Sequence, residues 1–269
     1  MLLVNGEAQQ QLPVSDRGLA YGDGVWETIA IKQGQPQLLE WHLQRLQHGL
    51  QVLGIVPVDW ATLESEIYTL CNQQQRAVIK IIITRGSGGR GYNPYGCHQP
   101  TRIVQRYPWP SYPSHYPTDG IRLALCQTRL AAQPLLAGFK HLNRLEQVLA
   151  RAEVGGEYQE GLVLDYADYV IEGTMSNLFV LQHNGQIVTP DLTYCGIAGI
   201  MQRFIQRSLV ENGLECHIRK LALHDLREAQ SLFLTNSLIG IWPVREFLGK
   251  VYSIAPIIQT LQKTVDTIS

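Results

Sequence analysis

Apolar positions set two different periods along the first part of the chain. Leu39, Leu43, Leu46, Leu50 and Leu53 recur at helical spacing, and Trp60, Leu63, Ile67 and Leu70 do so again, which predicts two amphipathic helices. β-Branched or apolar runs lie around them. Leu2 to Val4 runs into Asn5-Gly6 and reads as a strand entering a tight hairpin, Val78 to Thr84 stops at a glycine cluster, and Thr101 to Tyr107 is a further strand. This part therefore combines two helices with a small sheet.

Pro108, Pro110, Pro113 and Pro117 stand among serines and tyrosines between Tyr107 and Gly120. Proline fixes φ and removes a ladder donor, so the stretch resists helix and sheet alike. It is expected to be a linker, residues 108–120, between a small N-terminal domain, 1–107, and a larger domain, 121–269. In the latter the pattern predicts strands at Ile121 to Cys126, Gly161 to Asp165, Tyr169 to Ile171 and Leu178 to Gln182. The turn His183-Asn184-Gly185 leads to Ile187 to Thr189, and Leu232 to Thr235 follows. Helices are expected from Asn143 to Val154, Ile200 to Glu211 and Pro256 to Ile268. Short strands with interspersed helices, without regular alternation, indicate an α+β or barrel-like architecture.

Composition narrows the function more than the fold. A net charge of −1 provides no field for nucleic acid or a membrane surface, so a small-molecule partner is the default. Cys71, Cys97, Cys126, Cys195 and Cys216 never fall in Cys-x-x-Cys spacing, which argues against a disulfide framework or a structural zinc site and for reduced packing residues. The apolar start Met1 to Val4 is too short for a signal peptide or a membrane span, and the cytoplasm is the expected compartment.

Two segments carry candidate chemistry: Phe139-Lys140-His141-Leu142-Asn143-Arg144-Leu145-Glu146-Gln147, and Tyr169 to Phe179 with Glu172 inside it. A lysine amine condenses with an aldehyde cofactor when held beside it, and a carboxylate facing a pyridine nitrogen keeps that ring protonated. Taken singly, Lys140 reads as a solvated lysine at a helix start and Glu172 as a strand-end carboxylate. Gly86-Ser87-Gly88-Gly89-Arg90-Gly91 satisfies the G-x-G-x-x-G spacing of a dinucleotide loop, but Tyr92-Asn93-Pro94-Tyr95-Gly96 follows where a helix should begin. The loop reads instead either as a surface turn or as a substrate loop whose Arg90 binds a carboxylate as a fork.

Val14 to Gly18, Tyr21 to Gly24, His42 to Leu46, Arg85 to Tyr92, Lys140 to Gln147, Glu172 to Phe179 and Gly199 to Met201, taken in order, resemble the aminodeoxychorismate lyases. These belong to the pyridoxal phosphate family that also holds the branched-chain and D-amino acid aminotransferases, and the resemblance covers nearly the whole chain. It implies an α+β fold of type IV, with a small N-terminal α/β domain and a pseudo-barrel sheet in the C-terminal domain, and a homodimer. It implies pyridoxal 5'-phosphate as cofactor, Lys140 as the residue that carries it and shuttles protons, and Glu172 at the ring nitrogen. Arg45, the amides of Ile200 and Met201, and Ser237 would hold the phosphate, although local pattern places Arg45 off the apolar stripe of its helix and reads it as solvated. Asn177 would order the cofactor edge or its own turn. Arg90 and Tyr92 would face substrate; D-amino acid aminotransferases carry a histidine at the place of Tyr92. Glu27 is family-like in position, and its role stays open, as do those of His141 and Asn143. The implied reaction releases p-aminobenzoate and pyruvate from 4-amino-4-deoxychorismate; the alternative is a class IV aminotransferase.

Overall fold

A computed structural model describes residues 1–268; Ser269, the end of the expected second domain, lies outside them. The chain divides into two compact units, Met1–Pro110 with Phe139–Asn143, and Ser111–Gly138 with Arg144–Ile268. This differs from a simple cut at the proline-rich stretch. β5 runs on through Pro108, a short helix forms at Tyr116–Asp119 inside the expected linker, and the lysine segment returns to the first unit.

In the first unit β1 (Leu2–Val4), β2 (Gly24–Lys32), β3 (Gln35–Pro36), β4 (Arg76–Thr84) and β5 (Thr101–Pro108) form an antiparallel sheet in the order β1-β5-β4-β2-β3. Helices α1 (Arg17–Tyr21), α2 (Leu39–Leu53) and α3 (Trp60–Cys71) accompany it. Both predicted helices are present, and their stripes bury Leu46 and Leu50, and Leu63, Ile67 and Leu70. The predicted hairpin turn is present too, with Asn5 and Gly6 at positive φ, but its returning arm is a single bridge at Glu7. β2 escaped the pattern for a physical reason. Its core face reads Val25, Glu27, Ile29, Ile31, and the buried charge in the middle of that row interrupts the hydrophobic alternation that marks a strand.

The second unit contains α4 (Tyr116–Asp119), β6 (Ile121–Leu130), α5 (Leu145–Ala152), β7 (Glu160–Asp165), β8 (Val170–Gly173), β9 (Asn177–Leu181) and β10 (Ile187–Pro190). It continues with α6 (Ile200–Glu211), β11 (Cys216–Arg219), α7 (Leu223–Arg227), β12 (Ser231–Asn236), β13 (Gly240–Phe247), β14 (Lys250–Val251) and α8 (Pro256–Asp266). The strands form one mixed sheet in the order β11-β10-β9-β12-β13-β6-β7-β8, with β14 on β13. A bridge from Val170 on β8 to Leu221, just beyond β11, brings the two ends of that order together and curls the sheet like a barrel. Leu162, Leu164, Leu178, Val180, Leu232, Leu234 and Val244 pack on its inner side. β13 was not legible in the sequence because Pro243 demotes a strand. It is accommodated where the β6 ladder only begins, one residue on, at Val244 with Ile121, and then shifts register. Burial pushes the thiols of Cys71 and Cys126 up to about 11 and that of Cys195 up to about 12, which keeps them neutral packing groups as expected.

Candidate active site

β3 pairs with β2 only at Ile31 and Lys32, which leaves the Gly24–Trp26 edge of β2 open to another strand. Residues 139–142 take that edge. The amide of Trp26 donates to the Lys140 carbonyl (2.8 Å), the amide of Leu142 donates to the Gly24 carbonyl (3.0 Å), and Val25 bridges His141. Phe139, 1% exposed, anchors the segment against α2, where a Cβ on Gly49 would stand 2.8 Å from its ring. Lys140 is therefore held on strand-like backbone, not on a helix start. Its Nζ lies 4.2 Å from the centroid of the Trp26 ring, and the Trp26 indole in turn donates to the His141 carbonyl (3.2 Å). Such a contact stabilises a cationic amine by roughly 0.5–2 kcal/mol. Asn143 precedes the helix that was expected to include it, because its side-chain amide donates to the Gly22 carbonyl (3.2 Å).

Arg45 is the clearest correction to the local pattern. Its Nε and Nη2 form a two-pronged pair with the carboxylate of Glu27, at 2.6 and 2.7 Å, and its side chain is only 9% exposed. The Nδ1 of His42 donates to the same carboxylate at 2.7 Å. A surface position on α2 thus becomes interior because β2 offers a buried charge opposite it. Burial would raise the Glu27 pKa, but the charge of Arg45 and the contact with His42 hold it down at about 2. Burial holds His42 below its usual value despite Glu27, so the imidazole is neutral near pH 7 and serves as a donor.

Arg90 and Tyr92 stand on an exposed loop, and Tyr92 is 87% exposed. No helix follows the glycines, so the dinucleotide reading fails on structure as it did on sequence.

In the second unit Glu172, 4% exposed at the end of β8, accepts from the Ile197 amide (2.8 Å). Asn177, at the start of β9, donates to the carbonyl of that same residue (2.8 Å). The two side chains hold the backbone of one residue, Ile197, from its amide and from its carbonyl, just ahead of α6. Gly199 caps that helix, its amide donating to Gln202 Oε1 (3.2 Å), and a Cβ on it would fall 1.9 Å from Asn177 Oδ1. The Ile200 and Met201 amides occupy the first turn, where a helix supplies no acceptors of its own. Ser237 lies in the turn between β12 and β13, a turn organised by its neighbour: Asn236 Oδ1 accepts from Leu238 and Ile239, while Asn236 Nδ2 donates to the Met175 carbonyl (2.9 Å).

Glu160, fully buried on β7, has no signal in the sequence and organises this unit. It accepts from the amides of Gly161 (2.8 Å), Thr174 (3.2 Å) and Met175 (3.3 Å), and from the hydroxyls of Thr174 and Ser176. Thr174, Met175 and Ser176 form the turn between Glu172 and Asn177, so one carboxylate sets the spacing of the two candidates. Arg144 couples its charge to Glu172, although burial holds the guanidinium below its usual range. The structure thus places Lys140 beside Trp26 and Arg45 on Glu27 in one unit, and gathers Glu172, Asn177 and the start of α6 in the other. The chemistry on offer is an amine nucleophile, a buried carboxylate and an array of anion donors.

The profile described as amino-transferase class IV matches residues 24–247. An aminodeoxychorismate lyase of Vibrio harveyi is 39% identical over 91% of this chain and 90% of its own length. The crystal structure of 4-amino-4-deoxychorismate lyase from Pseudomonas aeruginosa superposes with a TM-score of 0.95 at 44% identity, covering 100% of this chain and 99% of that one. A D-alanine aminotransferase of Bacillus licheniformis is 27% identical over 93% of this chain and 89% of its own length.

Proposed function

The chain belongs to the class IV aminotransferase family, and from that premise we propose that it is a pyridoxal 5'-phosphate-dependent lyase converting 4-amino-4-deoxychorismate to p-aminobenzoate and pyruvate, a step of folate biosynthesis. The observation that carries this reading is the 44% identity to the Pseudomonas aeruginosa lyase over 100% of the chain, against 33% to a putative branched-chain-amino-acid aminotransferase and 27% to the D-alanine aminotransferase. An aminotransferase of the same fold is the less specific reading.

The residues present fit the cofactor. A glycine is required at position 199 by the approach of Asn177, and it leaves the α6 amides uncovered by any Cβ, which suits a phosphate dianion. Arg45 would add a guanidinium whose orientation Glu27 fixes, and Ser237 a hydroxyl. Glu172 would hold the proton on the ring nitrogen, and Asn177 would act through the Ile197 backbone that both side chains hold. Bound to Lys140, pyridoxal 5'-phosphate supplies an aldehyde to condense with the substrate amine and a protonated ring that draws electrons from the adjacent carbon.

Lys140 Nζ would accept the proton from the amine-bearing carbon and then return one to the methylene of the departing pyruvate. The Trp26 ring stabilises the protonated amine between the two transfers. Aromatisation drives the elimination, so the chain needs a positioned proton carrier and a carboxylate clamp more than a separate strong acid. Arg90 would supply the clamp.

Among the described residues no helix is long and apolar enough to cross a membrane, and a small-molecule substrate suits the family. We further propose a homodimer acting in the cytoplasm. Leu145, Val148 and Leu149 on α5 are at least 60% exposed and are a surface that a second copy would cover. The function is tested by incubating purified holoenzyme with 4-amino-4-deoxychorismate and following p-aminobenzoate fluorescence beside a coupled pyruvate assay. Equal release of both products is expected; transamination of amino acid and keto acid pairs without them would establish the aminotransferase instead.

A further inference from the structure

The glycine loop is tied down by groups that the proposed reaction does not use. Arg17 on α1 is 3% exposed. Its Nη1 donates to the Gly91 carbonyl (2.8 Å), its Nη2 to the Tyr92 carbonyl (3.1 Å) and its Nε to Asp23 Oδ2 (2.9 Å). Tyr21, four positions along, accepts from the Gly91 amide through its hydroxyl (3.1 Å), and its ring meets that of Tyr92 edge-on at 5.5 Å. The Arg17 guanidinium also lies over the Tyr21 ring, 4.7 Å from its centroid. One group in each of the three peptide units that follow Arg90 is therefore held, while Arg90 itself is exposed.

The anchor is itself anchored. Arg85 pairs with the same Asp23 through Nε and Nη2, at 2.7 and 3.0 Å, and donates to the carbonyls of Leu53 and Gly54 at the end of α2. Burial would raise the Asp23 pKa, but Arg85 and Arg17 together lower it, so the carboxylate stays charged between two guanidiniums. At the base of α1, Asp16 caps the helix at Gly18 and accepts from the hydroxyls of Thr84 and Thr101 on β4 and β5. A chain of charge-assisted bonds thus runs from the sheet and α2 to the two residues after Arg90. Only a planar fork reaches two successive carbonyls and a carboxylate at once, and lysine does not.

We propose that Arg17, with Tyr21, is the positioning residue that latches the glycine loop and so aims Arg90 at the substrate carboxylate. The inference deepens the proposed function and rests on its reading of Arg90. A loop of glycines costs more to order than any other, so pre-ordering it lowers KM instead of changing the chemical step.

The test compares holoenzymes of wild type, Arg17→Lys, Tyr21→Phe, Arg90→Ala and the Arg17→Lys/Arg90→Ala double variant. Arg17→Lys keeps a cation beside Asp23 but loses the fork; Tyr21→Phe keeps the ring and loses one acceptor, so it remains informative if the first variant folds poorly. Trypsin cleaves after Arg90, and its rate at that bond follows the open population of the loop. At least tenfold faster cleavage at this bond is expected for Arg17→Lys and at least threefold for Tyr21→Phe, with other tryptic sites unchanged. For turnover of 4-amino-4-deoxychorismate, KM should rise about tenfold in Arg17→Lys with kcat within about threefold, and adding Arg17→Lys to Arg90→Ala should raise KM no further. Cleavage at Arg90 within twofold of wild type in both single variants, or a KM effect that persists undiminished in the Arg90→Ala background, overturns the latch. A wild-type KM in Arg90→Ala overturns the reading of Arg90, and accelerated cleavage alone then separates that failure from failure of the latch.

Discussion

Replacing Glu27 by Gln removes the charge that Arg45 faces while leaving the side chain's size unchanged. Glu27 is fully buried and the Arg45 side chain only 9% exposed, so little water is available to take over. Removing one member of such a pair costs roughly 3–5 kcal/mol, because the other is left uncompensated. The same contacts give a second figure through the lowered pKa. Held at about 2 instead of the ordinary 4.5, the carboxyl contributes about 3 kcal/mol, at about 1.4 kcal/mol for each tenfold change in its acidity. A folded-state pKa that is depressed gives stability present above the unfolded pKa and lost as pH falls through the folded one. The cost of Glu27→Gln should therefore be flat from about pH 8 to 6, smaller by about a quarter at pH 4, and should vanish only near pH 2. At neutral pH it corresponds to a fall of roughly 6–12 °C in Tm for a chain of this size. Thermal melts and urea midpoints of the two proteins between pH 8 and 4 measure it. A shift under about 2 °C at pH 7, or a cost that grows on acidification, would refute the argument that this carboxylate is charged and paired in the fold.

Borohydride reduction of the holoenzyme followed by peptide mapping should place the pyridoxyl label on Lys140, and label only on another lysine would sink that assignment. Glu160→Gln puts an amide donor against backbone and hydroxyl donors, costing about 1–3 kcal/mol at the turn that spaces Glu172 and Asn177; pyridoxal phosphate titration of the apoprotein should show affinity down about tenfold. An unchanged dissociation constant would separate that turn from the cofactor. If the loop of one subunit completes its partner's site, Lys140→Ala and Arg90→Ala chains, each nearly inactive alone at a substrate concentration near the wild-type KM, should recover about a quarter of wild-type activity when mixed, since half the dimers are mixed and each has one intact site of two. No recovery after verified subunit exchange would keep Arg90 with its own chain's site.

Periodicity and local turn chemistry determined much about this protein without coordinates. The stripes of α2 and α3, the bounds of α6, the β4 and β5 strands and the Asn5-Gly6 turn follow from interactions within a few residues, and these are written in the local sequence. The order of the quoted segments pointed in addition to the family, and with it to Lys140 and Glu172. Local pattern could not say what lies opposite a side chain. Arg45 reads as solvated on its own helix, and only the arrival of Glu27 from β2 makes it a buried partner; Glu27 in turn disguised β2 as something other than a strand. Lys140 reads as a helix start, and its place along the open edge of β2 depends on how short β3 is. Glu160 and Arg17 carry no local mark, because each acts on backbone groups far along the chain that only folding brings within hydrogen-bonding distance. Burying a charge is costly unless distant donors converge on it, and that convergence is a property of the tertiary fold.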